Sequence, residues 1–191
     1  ATLSDQISFM VLMSPSVTAV AEDRIFERAA RLHDEGFTAE EVAQAAAMQR
    51  LYHQVTRQGE GFNRFQTAWE QHAETRWFQR VYPSDALLDP DHRHHAWFAS
   101  VLDYDPVPRL ERLDLPVLWL FGDPEFDRLG PVEGSLDVVQ RFAAEGKPYT
   151  VHVFPGTDHG LRRVDSEAAP SDGLPIWATP LVTWLAGVTQ R

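Results

Sequence analysis

Apolar residues follow two spacings along this chain. Short, mainly apolar runs come three times. The first is Phe9 to Met13 inside Ile7 to Ser14, the second Val117 to Phe121, and the third Thr150 to Phe154 with one interruption at His152. Runs that are apolar on both faces suit interior parallel strands. Pro116 and Gly122 bracket the second run, and Pro155-Gly156 stop the third. Elsewhere the period is helical. Val132 to Ala144 aligns Val132, Leu136, Val139, Phe142 and Ala143, and Leu174 to Val188 aligns Ile176, Trp177, Leu181, Trp184 and Leu185.

About a hundred residues separate the first two strands, far more than a crossover needs, so an inserted subdomain is expected. It reads as four helices: Ala19 to Asp34, Thr38 to Gln58, Gly61 to Thr75, and Asp91 to Leu102. Thr18 is a candidate cap and Gly36 a stop for the first; Thr38-x-x-Glu41 is a capping box for the second. The stripe Val42, Ala45, Ala46, Leu51 and Val55 reads as helix packing. The expected fold is α/β: part of a doubly wound sheet of about three parallel strands, built from residues 1–17 and 106–191, with a helical insertion over 18–105.

Composition narrows the partners. The 191 residues are 43% hydrophobic and 24% charged, ordinary for a globular chain. A formal charge of −11 opposes binding to nucleic acid and to anionic membrane surfaces. Cysteine is absent, which excludes disulfides and thiolate chemistry. No run is long enough to span a bilayer, and the N-terminal residues lack signal-peptide character, so a cytoplasmic location is expected. There is no glycine-rich phosphate loop, and no cofactor is expected. Within Asp91 to His95, His92 and His95 have ligand spacing on a helix. No third ligand is placed by spacing, and no metal is expected.

The candidate chemistry lies after the second and third strands. Asp123, Glu125 and Asp127 follow one; Pro155-Gly156-Thr157-Asp158-His159-Gly160 follow the other. If these strands are neighbours, a carboxylate and an imidazole meet at the carboxyl edge of the sheet, where ligands of open α/β sheets sit. The acid would fix the imidazole's tautomer and stabilise its cation. P-V-L-W-L-F-G-D with Asp127-x-x-x-Pro131, and F-P-G-T-D-H-G-L, resemble the acid turn and histidine loop of the α/β-hydrolase superfamily of serine esterases and peptidases. The order, acid before histidine, is also that family's. The resemblance covers about the last third of the chain, extended by the first strand.

It implies His159 as general base and acid, with Asp127 as its orienting carboxylate and Asp123 as the alternative. Asp127 has the fitting distance to Pro131, although two extra residues separate it from Gly122 relative to the family pattern. It further implies that the insertion is a lid, with Trp69, Trp97 and Phe98 lining a pocket for a small ester or amide. The family's G-x-S-x-G nucleophile elbow is absent: Ser135 follows Gly134 but falls in a helix, and Ser14 and Ser16 lack the glycines. Ala1 to Leu3 look like the tail of the helix after such an elbow, so the chain is expected to begin just past the serine. The expected function is the acid- and histidine-bearing part of an ester or peptide hydrolase. The alternative is an inactive fragment that dimerises or binds a small ligand. The strand around Ile7 to Ser14 would then expose an apolar edge, to be paired with a second copy or with the missing N-terminal half.

Overall fold

The computed structural model describes residues 7–89, 91–164 and 174–189, with Gln58 described by its backbone alone. The expected helix tail at Ala1 to Leu3 and most of the polar loop from Arg162 to Gly173 lie outside the described residues. The chain divides into two compact units, 1–18 with 106–191, and 19–105.

The first unit is α/β. Among the described residues it holds three parallel strands in the order β1 (Met10–Met13), β2 (Val117–Phe121), β3 (Tyr149–Val153). β2 is central and every residue in it is buried, which is why its sequence is apolar without alternation. Val117, Trp119 and Phe121 face the helix Val132–Ala144, meeting its Val132, Val139 and Phe142. Leu118 and Leu120 face the other way, onto Phe154, Leu161 and Leu181 of the last helix, Ala178–Val188. The register pairs Met13 with Leu120 and Phe121 with Val153, so all three strands end at one rim.

β1 is shorter than its apolar run. Pairing starts at Met10, whose N–H donates to the Pro116 carbonyl at 2.9 Å; Pro116 has no N–H to extend the ladder. It stops at Ser14, whose φ of 44° turns the chain out of extended geometry. A four-residue helix, Val107–Leu110, precedes β2 and was not signalled by periodicity. Ser135 is a structural residue of the helix after β2: buried, its Oγ accepts the Val17 N–H at 3.0 Å.

The second unit is helical. In chain order α1 is Val20–Asp34, α2 Ala39–Gln58, α3 Phe62–His72, α4 Arg76–Val81 and α5 Arg93–Val101, with a 3₁₀ turn at Asp85–Leu88. We number the helices of the first unit α6 (Val107–Leu110), α7 (Val132–Ala144) and α8 (Ala178–Val188). Thr38 and Glu41 form the full capping box of α2. Thr18 does not cap α1: Ala19 occupies the cap position with no side-chain bond, and Thr18 Oγ1 lies 2.9 Å from Ser16 Oγ. The expected third helix, Gly61 to Thr75, is α3 and ends at His72, where the hydroxyl and the N–H of Thr75 both donate to the His72 carbonyl and close the turn; α4, beyond it, was not signalled by the sequence. Tyr52, Phe65, Trp69, Trp77, Phe78 and Phe98 form the core between these helices.

Candidate functional site

The rim of the first unit gathers the ends of its three strands. After β2, Asp123 and Asp127 lie in one tight turn, closed by the Asp127 N–H donating to the Asp123 carbonyl at 2.8 Å. Their side chains then part. Asp123 accepts the Glu125 N–H at 3.0 Å on Oδ1 and the Gly156 N–H at 2.8 Å on Oδ2. These backbone donors hold its carboxyl below the usual carboxylate range, the Gly156 bond contributing most. Asp123 therefore ties the β2 turn to the loop after β3.

Asp127 faces the histidine. His159 Nδ1 lies 3.0 Å from both Asp127 Oδ1 and Oδ2. The carboxylate is only 1% exposed, the imidazole 38%. Leu129 N–H donates to Oδ1 at 3.0 Å and orients the carboxylate further. An acid at Nδ1 fixes the proton there and leaves Nε2 as the ring's basic nitrogen. Of the two candidate acids, the structure places Asp127 at the imidazole and Asp123 on the backbone of the loop.

The histidine loop is held from three directions. Asp158 N–H donates to the Arg162 carbonyl and Leu161 N–H to the Asp158 carbonyl, both at 2.9 Å, closing a turn with His159 inside it. Leu161 takes φ of 55° and buries its side chain against Leu118 and Leu120. Thr157, fully buried, donates its hydroxyl to the Phe154 carbonyl at 2.7 Å. From the end of β1, Ser14 Oγ donates to the His159 carbonyl at 2.5 Å. Finally, a Cβ at Gly122 would lie 2.5 Å from the Asp158 carbonyl oxygen, so the loop rests directly on bare backbone. Sequence reading did not single out Ser14 or Gly122 for this role. A glycine straight after an apolar strand was the visible signal for the latter.

The aromatic candidates lie in the helical unit and separate there. Trp69 is core, edge-on to Phe78 with centroids 4.7 Å apart. Trp97 and Phe98 line a cleft of about 310 Å³ within this unit, with Trp97 52% exposed. The histidine run is used locally. His92 is not on a helix face with His95; it caps α5, its Nδ1 accepting the His94 N–H. His95 contacts the Asp89 carbonyl at 3.0 Å and the Tyr52 hydroxyl at 3.2 Å. Among the described residues, no three His, Asp or Glu side chains converge as a metal ion requires. No helix among them is long and apolar enough to cross a membrane. No known protein family, curated protein or solved structure matches this chain.

Proposed function

We propose that Asp127 and His159 are the acid and base of a hydrolase acting on carboxylic esters or amides, of the α/β-hydrolase kind. The observation that carries this reading is the buried Asp127 carboxylate, 3.0 Å from His159 Nδ1 at the carboxyl ends of two adjacent parallel strands. In this reading His159 Nε2 takes the proton of an attacking hydroxyl. Asp127 stabilises the imidazolium, and the proton then passes to the leaving alkoxide or amine. Water attacks the resulting acyl group with His159 again as base. No G-x-S-x-G occurs in the 191 residues, and this proposal assigns the nucleophile and oxyanion hole to polypeptide outside them. The fold around the pair would then be one part of a larger doubly wound sheet.

The test is p-nitrophenyl ester hydrolysis and fluorophosphonate labelling, on this chain and on the product of its whole reading frame. The reading expects activity and serine labelling in the latter, both lost in His159→Ala. Activity that survives His159→Ala, or no hydrolysis and no labelling in either polypeptide, would refute it.

A second reading rests on the outer edge of β1, which pairs with no strand among the described residues. Open edges template further pairing. Under this reading the chain self-associates or recruits its N-terminal complement through β1. Light scattering on the isolated chain decides: a monomer at micromolar concentration counts against both partners.

A further inference from the structure

The cleft of about 310 Å³ in the helical unit has an unusual lining for a chain carrying −11. Arg24, Arg28, Arg31 and Arg80 all border it, against a single acid, Glu27. The first three recur four and three residues apart on α1 and so share a face. The lining also carries the aromatic residues Tyr52, Trp97 and Phe98.

The charges do not balance among themselves. Glu27 is shared, bonding Arg24 at 2.9 Å and Arg31 at 2.8 Å. Arg80 is taken by Glu35, through two bonds at 2.6 and 2.5 Å. Arg28 has no such acid. Its guanidinium carbon lies 4.8 Å from the centre of the Tyr82 ring, and its Nη1 is buried without a hydrogen-bond partner. Arg28 thus keeps its full positive charge beside the cleft, with no carboxylate among the described residues to neutralise it. His94, on the same lining, is held below its usual value by burial first, then by His92, His95, Arg28 and Arg24. The local field is positive.

We infer that this cleft is a binding site for a small organic carboxylate with an apolar or aromatic body. The carboxylate meets Arg28, and the body lies against Trp97 and Phe98. Arg28 is the arginine of this lining with no acidic partner, and a carboxylate offers its planar fork two acceptors. The volume is at the lower end of the range for small-molecule sites. This inference uses only residues of the helical unit and stands apart from the hydrolase reading.

The experiment is titration calorimetry on the whole chain with 3-phenylpropionate, its neutral analogue 3-phenylpropanamide, and phenyl phosphate. The expected result is 1:1 binding of 3-phenylpropionate. The amide should bind at least about ten-fold more weakly, the weight of one charge-assisted hydrogen bond. Arg28→Gln should weaken the carboxylate by a similar factor, while the exposed Arg64→Gln leaves it unchanged. Should Arg28→Gln fail to fold by circular dichroism, Arg24→Gln takes its place, with a smaller expected loss. Equal binding of acid and amide, unchanged affinity in the folded Arg28 or Arg24 variant, or no binding of the carboxylate overturns the proposal. Phenyl phosphate binding about ten-fold more tightly than 3-phenylpropionate overturns the assignment to a carboxylate.

Discussion

Gly122→Ala tests how the histidine loop is seated. The glycine sits directly after β2, and its φ is not in the left-handed region. Space, not backbone freedom, is what an added methyl would violate. The new Cβ would fall 2.5 Å from the Asp158 carbonyl oxygen, 3.1 Å from its carbon and 3.3 Å from the Thr157 oxygen, all of them backbone atoms. Real Cβ contacts essentially never close below 3.0 Å, so the loop must retreat by at least about half an ångström. The Asp123 N–H to Thr157 oxygen bond of 3.0 Å and the Gly156 N–H to Asp123 bond of 2.8 Å would stretch towards the limit of useful length. Overpacking of this kind costs about 1–3 kcal/mol, and weakening a hydrogen bond adds about 1 kcal/mol, giving about 2–4 kcal/mol together. Urea unfolding measures the loss, and the hydrogen-bonded Nδ1–H resonance of His159 reports whether its contact with Asp127 survives. Gly134→Ala is the control. Its Cβ would meet only Thr18 Cγ2, at 3.7 Å, and alanine inside α7 should stabilise by about 0.5–1 kcal/mol. A Gly122→Ala chain within about 0.5 kcal/mol of the parent, with the resonance intact, would refute this account of the loop.

Three further outcomes are expected. His53 is buried, with its Nε2 2.5 Å from Gln49 Nε2, and burial first, then Arg57 and Arg28, push its pKa down from 6.5 to about 4. As pH falls the unfolded chain takes this proton first, so stability is full above pH 6.5 and declines as pH drops to about 4, by up to about 3 kcal/mol. His53→Phe should flatten that slope in denaturation series across the range; an unchanged slope contradicts it. Ser135→Ala strips the buried Val17 N–H of its acceptor and should cost about 1–3 kcal/mol by urea unfolding, against near neutrality if Ser135 were idle. Thr38→Ala removes half of the α2 capping box and should lower stability by about 1 kcal/mol, a loss that Thr38→Ser restores.

β2 and α7 could be read to the residue because each carries its own boundary. Pro116 and Gly122 fence the strand, and the apolar period of α7 runs out before Gly146, which has φ of 97°. β1 could not, since its run continues past the point where Pro116, a residue about a hundred positions away, ends the ladder. Nor could α4, Arg76–Val81, whose six residues are too few to show a helical period. At the rim, the motifs named the residues but not their division of labour. Asp123 and Asp127 look alike in sequence; only the approach of Gly156 N–H to one and of the imidazole to the other separates them. The arginine stripe on α1 was present in the spacing. Its meaning needed Arg80 and Trp97, brought alongside by tertiary packing.

The helical insertion leaves and returns at nearly one place: the Ala21 N–H donates to the Leu102 carbonyl at 3.1 Å. Every anchor of the histidine loop, from Ser14 through Gly122 and Asp123 to Leu161, belongs to the other unit. The whole stretch can therefore be exchanged like a cassette, joined through a short bridge between its two roots. The residues that seat the histidine loop would be inherited unaltered.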